Sequence, residues 1–213
     1  MTTAPKARIV PDDALVINLR DLGVLATGPE LDRLFAKFCD RNSQSVWQYE
    51  LTPEGEIVVL PPINHPGGLH ENETATELNI WRRGFGGMAT GSNAFYRMPI
   101  TGGVLVPDAA WVSPERLSEH PPVPGDPIPI CPDFVIEIRS GTDNLAPLHA
   151  KMRLYMQNGA LLGWLIDPIN RRVYIYRYGQ TEAEPLENPL ILSGEDVLPG
   201  FTFDVARWIF DRT

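Results

Sequence analysis

The chain has 213 residues, of which 43% are hydrophobic and 21% charged, and its formal net charge at pH 7 is −9. This length suits one domain with its own core, and the composition is that of a globular protein rather than a disordered or fibrous one. The acidic balance argues against broad, unspecific binding of nucleic acid, but it leaves a local contact open.

Membrane and disulfide classes are also disfavoured. No window approaches the roughly 18 apolar residues of a membrane span, and the first ten residues lack the apolar stretch of a signal peptide. The chain has only two cysteines, Cys39 and Cys131, too few for a disulfide framework or a four-ligand zinc site. We therefore expect a cytoplasmic protein.

The first part of the chain predicts a helix followed by a hairpin. "GPELDRLFAKFCDR" (28–41) is typical of a helix because its leucines and phenylalanines recur on one face. "VWQYELTPEGEIVVLPP" (46–62) holds two apolar runs around a turn, which indicates a hairpin. A weaker pattern favours a second helix over residues 69–83. We expect an N-terminal extension over 1–45, with the main domain over 46–213.

The second part predicts mostly strands. A proline-rich stretch at 121–132 excludes both helix and central strand and is expected to be a stiff loop. A short strand and a terminal helical turn are expected near the end. The elements predicted between residues 88 and 178 are strands at 88–99, 103–113, 131–140, 161–167 and 171–178, and a helix at 145–157. This order of elements indicates a single α/β or α+β domain.

Three acids stand where apolar strands tolerate them least. Glu137 interrupts the run "FVIEI", and a buried unpaired carboxylate costs several kcal/mol or takes up a proton. Asp108 follows a proline inside "GVLVPDAAWVS", and Glu50 ends "VWQYE". If these strands are neighbours, Asp108 and Glu137 lie close together, and oxygen ligands of this kind suit Mg²⁺ or Mn²⁺.

The helix predicted at 145–157 supplies a cation. Lys151 lies three residues after Leu148 and four before Tyr155, at the edge of the apolar face, so it can lean toward Glu137. A partly buried lysine can position or activate a water, whereas arginine stays protonated. We therefore assign the catalytic role to Lys151, and to Arg139 at most a contact with a phosphate or carboxylate.

Three segments together resemble the putative restriction endonuclease family of the PD-(D/E)XK nuclease superfamily. They are "VPDAAWVSPERL", "PDFVIEIRS" and "KMRLYMQNGALLGWLIDP". The hairpin "YELTPEGEIVVLPP" and the closing segment "VLPGFTFDVARWIF" are similar to the same family, so the resemblance spans roughly residues 46 to 210. It implies a restriction-endonuclease-like fold with a mixed central β-sheet flanked by helices.

The resemblance also implies a site and an activity. Asp108 and Glu137 correspond to the metal ligands, and Glu50 to the glutamate of the family's hairpin. The superfamily's lysine place is taken by Arg139, and relatives whose lysine lies on the following helix point to Lys151. The implied activity is Mg²⁺- or Mn²⁺-dependent endonucleolytic hydrolysis of a nucleic acid, DNA foremost, by a homodimer.

Other interpretations stay open at this point. Asp108 and Glu137 could instead form structural ion pairs, and Glu50 could be solvated at a strand end. His70 and Glu73, three residues apart, could line the site or form a plain polar helix face. The chain could be a binding or assembly protein that keeps the fold without turnover, as Arg139 and the acidic charge favour, or a metal hydrolase of another phosphoester.

Overall fold

The computed structural model describes residues 9–11, 14–141, 143–180 and 182–212. These residues form thirteen strands and five α-helices, with a final 3₁₀ turn at Phe210–Arg212. The helices are α1 (Gly28–Arg41), α2 (Gly67–Phe85), α3 (Pro114–Glu119), α4 (Leu145–Gln157) and α5 (Val205–Trp208). No helix in this part of the chain is long and apolar enough to cross a membrane.

The strands form three sheets. The larger two have the orders β1-β3-β2-β6-β5 and β11-β10-β9-β8-β7-β4, and β12 and β13 form a separate pair. The strands are β1 (Leu15–Asn18), β2 (Gln48–Leu51), β3 (Glu56–Leu60), β4 (Met88–Gly91), β5 (Tyr96–Arg97), β6 (Val104–Leu105), β7 (Ala109–Val112), β8 (Phe134–Ile138), β9 (Leu162–Asp167), β10 (Arg172–Arg177), β11 (Glu184–Glu187), β12 (Leu192–Ser193) and β13 (Thr202–Phe203).

The six-stranded sheet is mixed and is covered on both faces. Strands β8 and β9 run parallel, because the chain crosses between them through α4, and the other pairs of this sheet are antiparallel. Helix α2 and the C-terminal segment pack on one face around Phe134 and Ile136. Helix α4 packs on the other face against Val135 and Leu165. The predicted class, a mixed central sheet flanked by helices, is therefore confirmed.

The five-stranded sheet carries the predicted hairpin and the N-terminal helix. Strands β2 and β3 pair from Gln48 opposite Leu60 to Leu51 opposite Ile57. The predicted helix at 28–41 is confirmed as α1, and it packs on this hairpin through Phe35.

Two predicted strands are wrong as continuous elements. Residues 103–113 divide into β6 of the smaller sheet and β7 of the larger one, and residues 88–99 divide likewise into β4 and β5. The first break falls at Pro107 and Asp108, because proline lacks the amide hydrogen that a ladder requires. This crossing between sheets places Asp108 in a link beside β8 instead of within a strand.

Candidate active site

Glu137 is buried within β8 on the face that α4 covers. Side chains alternate along a strand, so Glu137 and Val135 share one face while Ile136 and Ile138 occupy the other. Only 3% of Glu137 is exposed. Burial on this scale requires partners for the carboxylate.

Lys151 supplies the first partner. Its Nζ lies 2.9 Å from Oε1 and 3.0 Å from Oε2 of Glu137, and 2.8 Å from Oε1 of Glu50. It also donates to the backbone oxygen of Val106 at 3.0 Å. Helix α4, strand β8 just before it and the distant strand β2 thus meet at one buried ammonium group.

Two further hydrogen bonds hold the glutamates in place. The hydroxyl of Tyr155, one helical turn after Lys151, donates to Oε1 of Glu137 at 2.9 Å. The backbone amide of Val106 donates to Oε1 of Glu50 at 2.9 Å. Glu50 is therefore buried and paired within β2, and the open interpretation of a solvated strand end is wrong.

Asp108 lies next to this group in the link between β6 and β7. Its Oδ2 accepts the backbone amide of Ile138 at 2.6 Å, which fixes the aspartate beside the end of β8. Burial and the negative charges of Glu137 and Glu71 raise its pKa, and the positive charge of Lys151 lowers it.

Glu71 is an acid of this group that the sequence interpretation missed. It is buried near the start of α2 and is close enough to Asp108 and Ser92 for side-chain hydrogen bonds. Glu71, Thr74 and Leu78 follow one another at spacings of three and four, which places a charge on the buried stripe of the helix. Like Glu137 in its strand, Glu71 is an acid at a buried position. The apolar pattern of α2 is too weak to reveal that position from the sequence.

The four acids and the lysine line one open cavity. Its volume is about 880 Å³, and its wall includes Glu50, Glu71, Asp108, Glu137 and Lys151. A cavity of this size admits a ligand of several dozen atoms.

The cavity holds more acids than bases, and the pKa values of three of the acids are raised. Four carboxylates face one ammonium group, so like charges oppose full ionisation. Burial raises the pKa of Glu137 to about 7 against the opposing effect of Lys151. Burial also raises the pKa of Asp108, helped by the charges of Glu137 and Glu71, and it raises the pKa of Glu71.

The pKa of Lys151 moves the other way from that of a lone buried lysine. Burial alone lowers it, but the charges of Glu137, Glu50 and Asp108 together raise the pKa above its ordinary value. Lys151 is therefore an ammonium ion at neutral pH.

The donor set fits a hard divalent cation. Among the described residues, no three His, Cys, Asp or Glu side chains converge on one ion position. However, Mg²⁺ keeps several waters and is commonly held by one or two carboxylates together with substrate phosphates. Asp108 and Glu137 can supply those two carboxylates, and a bound cation would offset the repulsion that adds to burial in raising the pKa of Asp108.

Arg139 borders the cavity but is engaged elsewhere. Its guanidinium contacts both carboxylate oxygens of Asp167, at 3.3 and 3.1 Å, and donates to the backbone oxygen of Asp143 at 2.9 Å. Arg139 therefore ties the loop after β8 to the end of β9, which is a structural role.

Of the two polar residues His70 and Glu73, only His70 lines the cavity. His70 is buried in the cavity wall, and burial lowers its pKa. Glu73 instead pairs with Arg212 of the C-terminal turn at 2.5 Å. The alternative that both line the site is therefore wrong for Glu73.

Comparisons with known proteins agree with this architecture. A crystal structure of a putative nuclease belonging to DUF820 from Anabaena variabilis matches with a TM-score of 0.63 and 20% sequence identity, over 76% of this chain and 89% of that one. At this identity the likeness shows the fold alone. Among curated proteins no match is found. A family model described as "Putative restriction endonuclease" matches residues 34–206, most of the chain. The chain therefore belongs to the putative restriction endonuclease family.

Proposed function

We propose that this protein is a metal-dependent endonuclease that hydrolyses phosphodiester bonds, with DNA as its foremost substrate. One observation carries the proposal: a buried ammonium group is held between two glutamates beside two further acids, on the wall of an open cavity. Membership of the putative restriction endonuclease family supports it, as does the description of the Anabaena variabilis protein as a putative nuclease.

Asp108 and Glu137 would hold the ion, Mg²⁺ or Mn²⁺. A bound divalent ion of this kind lowers the pKa of a coordinated water and stabilises negative charge on a phosphate. The residues around it fix the geometry: Tyr155 orients Glu137, the amide of Ile138 orients Asp108, and Glu71 borders Asp108.

Lys151 would contribute charge and a hydrogen bond rather than accept a proton. Because its pKa is raised, it stays an ammonium ion and cannot serve as the base. In that state it can orient a water or stabilise the charge that develops on the phosphate oxygens. Glu50 holds the same ammonium group through a contact of 2.8 Å.

A second candidate function, binding or assembly without turnover, has one observation in its favour. Glu50, Glu137 and the oxygen of Val106 already offer acceptors for all three hydrogens of the Lys151 ammonium. A lysine so saturated within the protein is also what a structural role would produce.

A substrate panel separates these functions. Duplex DNA, single-stranded DNA, RNA and a small aryl phosphodiester would each be incubated with the protein in Mg²⁺, in Mn²⁺ and in a chelator. We expect cleavage of DNA that requires the metal and is lost in Glu71→Gln. The matched variant Glu73→Gln lies on the same helix, faces Arg212 and should keep its activity. Turnover of the small phosphodiester alone would indicate another hydrolase, and binding without turnover of any substrate would indicate the second candidate.

Cutting both strands of a duplex requires two such centres, so we propose that a homodimer acts on duplex DNA. Sedimentation at micromolar concentration should give twice the chain mass. A monomer that makes double-strand breaks in a single encounter would contradict this part of the proposal.

A further inference from the structure

A second groove of about 480 Å³ adjoins the candidate active site. Gln48 and Val106 line both it and the cavity of the candidate active site, so the two spaces lie side by side. Gln48 lies two residues before Glu50 on β2, which is about 7 Å along the strand. A polymer held at the acids is therefore close enough to reach this groove as well.

The groove exists because strand β2 leaves its neighbour. Strand β2 pairs with β6 only at Leu51 and Val104. At Gln48 the strand instead faces the loop between β4 and β5. The side-chain Nε2 of Gln48 donates to the backbone oxygen of Ser92 at 3.1 Å. The opening is thus part of the sheet's topology.

One wall of the groove presents an aromatic surface. Trp47 lines it and remains 48% exposed. Its backbone amide donates to Oγ of Ser45 at 3.1 Å, which fixes the segment before β2. A large aromatic ring left open beside hydroxyl and amide groups is the arrangement on which bases of single-stranded nucleic acids stack.

A row of cations lies on α1 next to residues that line the groove, although none of the three is part of its wall. Ala36 and Asp40 of α1 line it, and at 100° per residue Arg33, Lys37 and Arg41 occupy the adjacent stripe. All three are exposed. Among the described residues none of the three has an acidic partner at ion-pair distance, unlike Arg97, Arg116 and Arg139.

The acidic side of the groove and the side beside the cations suit different parts of a nucleic acid. Asp40 and Asp126 line the groove and would repel phosphates. Phosphates therefore suit the Arg33–Arg41 side, while carboxylates can accept hydrogen bonds from the amino groups of bases.

From these observations we infer that the groove at Trp47 binds an unpaired nucleic-acid segment flanking the cleaved bond, with a base on Trp47 and phosphates along Arg33, Lys37 and Arg41. The inference rests on the proposed nuclease function for the identity of the ligand. It adds a preference for substrates with single-stranded character near the cleavage point.

The test measures binding without cleavage. A fluorescein-labelled single-stranded DNA 12-mer is titrated in chelator and followed by anisotropy. Trp47→Ala should weaken binding about 5- to 150-fold, the range for loss of one stacked base, and Trp47→Phe should recover most of it. Replacing Arg33, Lys37 and Arg41 together by Gln should lower the salt slope by about 2.

Matched controls lie at other ends of the fold. Tyr178→Ala removes an aromatic ring that is 63% exposed near the other end of β9 and β10. The double variant of Arg82 and Arg83 to Gln removes charge at the far end of α2. Neither should change affinity by more than about twofold, within the usual additive error of such measurements.

The outcomes distinguish this inference from the proposed function. If the wild type does not bind the oligonucleotide, or binds it as tightly after both sets of changes, the inference is wrong, and metal-dependent plasmid cleavage is judged separately. If binding depends on Trp47 but no substrate is cleaved, the groove stands and the nuclease proposal falls. Tighter binding of a duplex, with an affinity that Trp47→Ala leaves unchanged, would also overturn the inference.

Discussion

Lys151 is the residue on which the charge balance of the cavity depends. It is 7% exposed and lies within 3.0 Å of both Glu50 and Glu137. Removing one partner of a buried ionic group leaves the others uncompensated, which is costlier than the loss of a surface pair. A change at Lys151 should therefore affect both cleavage and stability, and both must be measured for each variant.

We predict that Lys151→Ala abolishes cleavage and lowers the free energy of unfolding by about 3–5 kcal/mol. Lys151→Arg should not restore cleavage, because the larger planar guanidinium cannot occupy the place of the compact ammonium between Glu50 and Glu137. Cleavage assays beside urea denaturation measure the two effects. Normal turnover by Lys151→Ala would show that the lysine is structural alone.

Arg139 gives the opposite expectation, because its contacts are with Asp167 and the loop carbonyl of Asp143. Arg139→Lys restores the superfamily's spacing, but it should not raise activity, since Lys151 already occupies the position beside Glu137. Loss of the paired contacts should cost about 1–3 kcal/mol of stability. A rise in kcat for Arg139→Lys would reverse this assignment.

At this scale the sequence predicted the residues whose type conflicts with their surroundings. Glu137 in an apolar strand and Lys151 at the edge of a helix face were readable, and the structure brings them together with Glu50 and Asp108. Glu71 obeys the same rule but lies in a helix of weak periodicity. The three acceptors of Lys151 depend on tertiary contacts and could not be read from spacing.

At the scale of elements, the sequence predicted the long, strongly patterned segments, such as α1, α4 and the hairpin. It failed where short strands change sheet, as at Pro107, because alternation continues through the break. It also did not predict β1, which completes the sheet by pairing with β3. The assignment of residues 1–45 to an N-terminal extension stays a prediction.

A glycine pair before β6 sets the path that leads to Asp108. Both Gly102 and Gly103 have positive φ, at 79° and 94°. A Cβ on Gly103 would lie 2.6 Å from the backbone oxygen of Leu51, whereas a Cβ on Gly102 meets nothing within 4 Å. Alanine at either position would therefore have an unfavourable backbone conformation, but only alanine at Gly103 would also clash with a neighbouring strand.

We predict that Gly102→Ala costs about 1–2 kcal/mol for the left-handed backbone alone. Gly103→Ala should cost about 1–3 kcal/mol more and reduce cleavage, because β6 must move away from β2 and displace the link that holds Asp108. Thermal unfolding of both variants measures the difference. Equal losses for the two glycines would mean that the approach to Leu51 is not limiting.

At the scale of the whole molecule, a chain of net charge −9 concentrates acids in one cavity. Glu137 has a pKa of about 7 when folded and an ordinary value of 4.5. Between these values the folded state binds a proton that the unfolded chain releases, so stability falls as pH rises. The raised pKa values of Asp108 and Glu71 act in the same direction, and that of Lys151 matters only at strongly alkaline pH.

We therefore predict that the metal-free protein loses about 3 kcal/mol through Glu137 as the pH rises from below 4.5 to above 7. Glu137→Gln should flatten this slope and be more stable than the wild type at pH 8. Urea denaturation across the pH range in chelator measures it. A wild-type stability that rises steadily from pH 5 to 8, with Glu137→Gln parallel to it, would contradict the assigned cause.

The central claim is that the carboxylates beside Lys151 form a metal-dependent cleavage centre, and relaxation of supercoiled plasmid tests it most directly. We predict cleavage by the wild type in Mg²⁺ or Mn²⁺, none in chelator, and a loss of at least about 100-fold in Asp108→Asn. The exposed surface variant Glu119→Gln should retain full activity. Cleavage that persists in chelator, or that Asp108→Asn performs as fast as the wild type, would contradict the claim.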